Sequence, residues 1–227
     1  MDISYDDMLK MMDVALLEPT TTFSQITGLA QLAIAERFGQ ICIHSLHVRT
    51  AVAALGSSDP KIVACVGFPM GVVTTELKVA ETEQSMTDGA HEIDMVLSHT
   101  SFLDGDYQRA EDDIRAVVRA ASGAPVKVII ETCFLSSRQK IDASRMVQNA
   151  GGAFVKTSTG FSPEPAAMYE DIKLIRATVG PEFGVKASGR IRNYHRFIHM
   201  VEAGANRIGL SLSGAREVLR GWKELHS

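Results

Sequence analysis

The chain has 227 residues, of which 45% are hydrophobic and 22% charged, with a formal net charge of -4. This length suits one large core rather than two full domains, and the scattered lysines and arginines offer no concentrated basic face to a nucleic-acid backbone. No apolar run approaches membrane-spanning length, and the acidic start Met1-Asp2-Ile3-Ser4-Tyr5-Asp6-Asp7 lacks the parts of a secretory signal, so a cytoplasmic protein is expected.

In chain order, a short polar helix around Ser4 to Met12 precedes an apolar strand, Asp13 to Leu17, which stops at Glu18-Pro19. Apolar positions Ile26, Leu29, Ala30, Ala33 and Ile34 then recur at helical spacing, with Ser24 as the expected N-cap and Gly39 as the stop. The alternation continues with strand Ile41 to Ile43, helix Val48 to Leu55, strand Lys61 to Gly67 and helix Glu76 to Asp88, closed by Gly89. Strand Glu92 to Leu97 leads through a polar loop at Asp104-Gly105-Asp106 into a long amphipathic helix, Tyr107 to Ala121. Strand Val126 to Glu131, helix Ser136 to Ala150 and strand Ala153 to Lys156 follow. Pro163 and Pro165 are expected to open a helix to Thr178. Strand Phe183 to Ala187, helix Asn193 to Ala203, strand Arg207 to Gly209 and a helix from Gly214 to about Leu225 complete the pattern.

Eight short apolar runs, each followed by a helical segment, describe parallel strands buried on both faces. The count selects a single (β/α)8 barrel over residues 1–227 with a short N-terminal helix. An open doubly wound sheet is the alternative, but neither a dinucleotide fingerprint nor a phosphate-binding Walker sequence is present. Cys42, Cys65 and Cys133 are odd in number, widely spaced and set in apolar segments, which fits reduced core thiols. His44, His47, His91, His99, His195 and His199 form no recognisable ligand pattern, so no metal site is expected.

Barrel chemistry belongs at the C-terminal ends of the strands. Asp13, Asp94, Glu131, Lys156 and Lys186 fall on or near those positions, and five charged groups in one barrel must be paired or used. Lys156 ends an apolar strand in Phe154-Val155-Lys156-Thr157-Ser158-Thr159-Gly160-Phe161, where a neutral amine can add to a carbonyl. Lys186 lies on the adjacent strand, and a neighbouring cation disfavours a second ammonium. Asp94 alternates with Ile93 and Met95, so it can face the interior and move protons. The alternative is structural, with the lysines simply paired to Glu131, Asp13 or Asp94. The glycine-rich segments Lys186 to Arg192 and Gly209 to Gly214 mark either an anion-binding end or ordinary turns.

At these residues the chain resembles deoxyribose-phosphate aldolase, a class I aldolase family. The resemblance runs through Val66-Gly67-Phe68-Pro69-Met70-Gly71, Thr74 to Lys78, Glu92 to Val96, Lys127 to Thr132, Phe154 to Gly160 and Gly184 to Gly189. It implies a cofactor-free aldolase that reversibly joins acetaldehyde to glyceraldehyde 3-phosphate. On this reading Lys156 is the Schiff-base lysine, Lys186 the lysine that lowers its pKa, and Asp94 the aspartate of the proton relay. Asp13, Cys42, Thr159, Gly160, Gly189, Arg190, Gly209 and Ser211 are then expected to line the substrate site. The partners implied are a small aldehyde or sugar phosphate and a second copy in a homodimer. Four positions depart from the family pattern: Ala15 lacks a hydroxyl, Arg190 stands where a second glycine is usual, and Leu210 and Leu212 replace hydroxyl residues. These departures leave open a related Schiff-base aldolase, lyase or dehydratase acting on an unphosphorylated or carboxylated substrate. A silent barrel that only binds a sugar phosphate is the reading from another class.

Overall fold

The structure, a computed structural model, describes residues 3–162 and 166–226. Helix α1 (Tyr5–Lys10) precedes β1 (Met12–Leu16), followed by α2 (Phe23–Glu36), β2 (Gln40–His44), α3 (Val48–Leu55), β3 (Lys61–Val66), α4 (Thr75–Thr87) and β4 (Glu92–Val96). The second half comprises α5 (His99–Leu103), α6 (Tyr107–Ala120), β5 (Val126–Ile129), α7 (Ser137–Asn149), β6 (Phe154–Lys156), α8 (Tyr169–Val179), β7 (Gly184–Ser188), α9 (Tyr194–Glu202), β8 (Arg207–Ser211) and α10 (Leu212–Leu225). The eight strands pair in chain order and all in parallel, and β8 closes on β1. This is a (β/α)8 barrel. No helix among the described residues is long and apolar enough to cross a membrane.

Strand alternation divides the interior into two environments. Outward residues such as Val14, Ile41, Ile62, Ile93, Val128, Val155, Val185 and Ile208 join one core with the inner faces of the helices. Leu17, Cys42, Val63 and Cys65 form a separate, much smaller cluster inside the barrel, with Ala15 and Phe68 packed against it. Charged side chains fill much of the remaining interior. Asp13, Asp94, Lys127, Lys156 and Lys186 are all buried there, so the inner wall gives up apolar packing for charge.

Local chemistry moves several boundaries. Thr22, not Ser24, caps α2, in a reciprocal capping box with Gln25, because its side chain reaches the Gln25 backbone N-H. The helix stops at Arg37, which takes a left-handed conformation, rather than at Gly39. Gly39 is instead packed against the Lys10 backbone, which a β-carbon would meet at 2.7 Å. The polar stretch before Asp104 contains the short helix α5, and α10 begins at Leu212 because Ser211 caps it through the Gly214 N-H. Strand β5 ends at Ile129, so Glu131 lies beyond it, with a left-handed φ of 44°. Pro163 and Pro165 lie outside the described residues, and α8 begins at Tyr169.

Lys78 ties the helical layer to the barrel. Its fully buried ammonium donates to Asp113 Oδ2 at 2.6 Å and to the Val96 carbonyl at 2.8 Å, while Asp113 Oδ1 accepts from Thr75 at 2.8 Å. Removing one partner strands the other charge in the core. Lys78→Met is expected to lower stability by about 3–5 kcal/mol, and Lys78→Met with Asp113→Leu to recover much of that loss. Urea denaturation of the two variants checks this, and a double variant no better than the single would refute it.

Candidate active site

The register places Lys156 on β6 directly opposite Lys186 on β7, and Asp94 on β4 opposite Lys127 on β5. Because all four side chains point inward, the three lysines converge on the Asp94 carboxylate. Asp94 Oδ2 accepts from Lys156 Nζ at 2.5 Å and from Lys186 Nζ at 2.8 Å, and Asp94 Oδ1 accepts from Lys127 Nζ at 2.9 Å. Lys186 also donates to Asp13 Oδ2. Below this level, Lys127 pairs with Glu92 at 2.6 Å, and Arg207 bridges Asp13 at 3.0 Å and Glu92 at 3.3 Å. The Phe154 ring forms the floor, with the Arg207 guanidinium 5.3 Å and the Lys127 ammonium 5.9 Å from its centroid.

Burial by itself would protonate a carboxyl and deprotonate an amine, and here the mutual attractions reverse both tendencies. Asp94 is held well below the usual carboxylate range against its burial by Lys127, Lys156 and Lys186. Asp13 is lowered in the same way, against burial, by Lys186, Lys127 and Arg207. Burial pulls Lys186 down, but Asp13 and Asp94 outweigh it and hold the group above the ordinary lysine range. Lys127 is raised likewise, chiefly by Asp94. Lys127 and Lys186 are therefore resident cations.

Room for the Lys186 arm comes from Gly209, whose place on β8 faces inward opposite Asp13. A β-carbon there would meet Ser188 Oγ at 2.7 Å and Lys186 Cε at 3.3 Å. Cys42 and Cys65 flank the cluster, their sulfurs 3.6 Å apart, and Cys42 Sγ lies 3.8 Å from Asp94 Oδ2. The contact with Cys65 lowers the pKa of Cys42, whereas that contact and burial raise Cys65 well above its usual range. Cys133, expected in the core, is only partly buried and contacts Ser162 Oγ at 3.3 Å.

A cleft of about 420 Å³ opens onto this cluster at the C-terminal ends of the strands. Asp13, Ala15, Cys42, Lys156 and Lys186 line its inner end, and Thr159, Gly160, Gly189, Arg190, Arg192, Gly209 and Ser211 line the remainder. A larger cleft of about 670 Å³, among Lys10, Arg37 and Lys61 at the strands' N-terminal ends, contains none of the clustered groups. The structure thus brings together every expected site residue, but three expectations need correction. Glu131 does not pair with the lysines and instead accepts from Thr159 N and Oγ1. Leu210 borders the cleft while its side chain belongs to the strand–helix core, and Leu212 packs on that core away from the cleft. Ala15 and Arg190 are therefore the departures that reach the site. Arg190 has a left-handed φ of 56° and places Nη2 3.4 Å from the Ser162 carbonyl.

Lys127, Glu92, Arg207 and Cys65 were not expected in or around the site, whereas Arg192, in the segment expected as an anion-binding end, lines the cleft. For Lys127 and Glu92 the signal was present: Val126 and Val128 face outward, so Lys127 must face inward, and Glu92 shares a face with Asp94.

Comparison with known proteins agrees with this geometry. Residues 7–214 match the model of the DeoC/LacD family aldolases. A deoxyribose-phosphate aldolase of Staphylococcus saprophyticus is 46% identical over 202 residues, covering 89% of this chain and 91% of the relative. One from Thermococcus gammatolerans is 45% identical over 216 residues, covering 93% and 95%. Among solved structures, an aldolase designated QR15 superposes with a TM-score of 0.90 at 31% identity, covering 97% of both chains. The tetrameric deoxyribose phosphate aldolase of Aeropyrum pernix superposes with a TM-score of 0.87 at 28% identity, covering 98% of this chain and 93% of that one. With a lysine pair gathered on one aspartate inside a barrel that these aldolases share along nearly its whole length, the chain belongs to the DeoC/LacD family of aldolases.

Proposed function

We propose that the chain is a class I aldolase that reversibly cleaves 2-deoxy-D-ribose 5-phosphate to acetaldehyde and glyceraldehyde 3-phosphate. The observation that carries this reading is the sharing of one oxygen of Asp94 by Lys156 and Lys186 at the inner end of the cleft. The neutral amine of Lys156 attacks the open-chain aldehyde carbon, and uptake of one proton from solvent with loss of water leaves a protonated imine. As the proton of the third carbon's hydroxyl passes to a water held by Asp94, the bond between the second and third carbons breaks and its electron pair flows into the imine. Glyceraldehyde 3-phosphate leaves, and an enamine of two carbons remains on Lys156. Protonation at carbon and hydrolysis release acetaldehyde and restore the amine.

The charge cluster assigns the other roles in this proposal. Lys186, a resident cation, stands beside the imine nitrogen's site and donates rather than attacks. Asp94 is held ionised and is consequently a weak base, so it orients both amines and relays protons in concert with Lys186 and water. Arg190 and Arg192, with the backbone at Gly189 and Gly209, supply the positive end for the phosphate. Ala15 and Arg190 favour a second reading, in which the same imine chemistry serves a substrate with a different distal end, such as a carboxylate or an unphosphorylated aldol. A homodimer and a cytoplasmic location belong to the same proposal, although the Aeropyrum pernix relative is a tetramer.

Borohydride trapping with acetaldehyde, followed by peptide mapping, is expected to place the reduced adduct on Lys156, and Lys156→Ala is expected to abolish both adduct and turnover. An adduct elsewhere, or turnover surviving in Lys156→Ala, would sink the imine mechanism. Arg190→Gly relieves a left-handed side-chain-bearing residue, so stability should hold or rise by about 1 kcal/mol. Its KM for deoxyribose 5-phosphate is expected to rise about tenfold, the effect of one charged contact, against little change with unphosphorylated deoxyribose. Equal effects on the two substrates would remove Arg190 from the anion end.

The pH dependence of stability follows from the signs of the shifts. Asp13 and Asp94 are depressed, so their contribution is complete above the ordinary carboxylate pKa of about 4 and is lost as pH falls through their lower folded values. Lys186 is raised, so its contribution is complete below about 10.4 and is lost only as pH rises through its higher folded value. The network therefore predicts a broad plateau of melting temperature between about pH 5 and 9, with loss on the acid side below it. A steady decline across that interval would contradict the assigned charge states.

A further inference from the structure

Among the described residues, Glu131 is a buried carboxylate near the cleft that the lysine cluster does not use. It sits two residues past β5, is 3% exposed, does not line the cleft, and holds its backbone in the left-handed region. A side-chain-bearing residue persists in that conformation where surrounding contacts over-determine it. One oxygen faces Cys133 Sγ at 3.8 Å, and the other is committed to a single turn. Glu131 Oε2 accepts from Thr159 N at 3.1 Å and from Thr159 Oγ1 at 2.5 Å, and Thr159 Oγ1 accepts from Phe161 N at 3.1 Å. On either side of Glu131, Ile130 N donates to the Lys156 carbonyl and Thr132 N to the Thr157 carbonyl, so the β5–β6 ladder continues past both strands.

The turn held in this way connects the two ends of the cleft. It starts from Lys156 and carries Thr159, Gly160 and Phe161 along the wall. Gly160, with a φ of 88°, packs beside the Gly189 backbone, and the Phe161 ring meets Phe68 edge-on at 5.3 Å. One buried oxygen thus fixes the distance between the amine and the distal wall.

We propose that Glu131 is a positioning residue that sets the placement of the substrate's distal, phosphate-bearing end by holding the Thr159–Phe161 turn. The inference rests on the aldolase reading above. It concerns binding of the distal end rather than the covalent step at Lys156, which lies on the other side of the turn.

The test measures kcat and KM for deoxyribose 5-phosphate in Glu131→Ala, Glu131→Gln, Thr159→Val and the Glu131→Ala/Thr159→Val pair, beside borohydride trapping of acetaldehyde. Glu131→Ala is expected to raise KM about tenfold or more, with a much smaller change in kcat and trapping retained. Both bonds fall on one oxygen, so Glu131→Gln, whose carbonyl can take that place, is expected to recover most of the loss. The double variant is expected to be no worse than Glu131→Ala, because both changes act on the same contact. An unchanged KM, a fall in kcat alone, a Gln variant as impaired as Ala, or additive effects would overturn the proposal. Should Glu131→Ala fail to fold by circular dichroism, Thr159→Val carries the same expectation, and an unchanged KM there overturns it. A parent protein without turnover or Lys156 adduct would overturn the aldolase reading together with this inference, whereas an active parent with an unaffected Glu131→Ala overturns this inference alone.

Discussion

The structure depends on one carboxylate. Asp94 lies fully buried at the centre of the barrel and is shared by lysine side chains from three successive strands. Buried charges in a low-dielectric interior are costly unless they are paired with good geometry, and each partner here is fixed by strand register rather than by a flexible loop. A slip of one residue in any contributing strand would turn its charge outward into the apolar strand–helix layer. Barrel register and assembly of the site are therefore one requirement.

The two interior environments divide the work. The outer layer carries almost all of the apolar packing and holds the helices on the strands. The inner layer combines a small apolar cluster with paired charges over an aromatic floor. Reactive groups thus sit on strands, the most rigid part of the fold, while the parts that differ from the family pattern and reach the cleft are Ala15 on β1 and Arg190 in a turn. Such a division allows the distal end to vary without disturbing the amine cluster.

Much of this was legible in the sequence, for identifiable reasons. Short apolar runs alternating with helical segments gave the barrel, and period-two alternation around Asp94 gave its inward direction. The same rule applied to Lys127 would have revealed it, but a lone lysine within a run of valines and isoleucines reads as part of a strand rather than as a site. Arg207 and Glu92 lay at strand starts, away from the end where chemistry was sought. Glu131 was misplaced because a left-handed residue after a strand leaves no periodic trace, and Leu210 because the loop was read without the pleat that turns it outward. Thr22 rather than Ser24 caps α2 because the reciprocal bond with Gln25 decides between neighbouring hydroxyls.

The aromatic floor and the ion pairs above it also have an electrical meaning. Among the described residues, this cluster joins four basic side chains, Lys127, Lys156, Lys186 and Arg207, to three acidic ones, Asp13, Glu92 and Asp94. In the proposed mechanism, where an uncharged Lys156 amine attacks among otherwise ionised groups, the cluster sums to zero. The protonated imine returns it to one net positive charge, which the electron pair of the breaking bond then cancels. On the proposed mechanism the covalent cycle thus alternates the barrel's interior between a neutral and a singly cationic state.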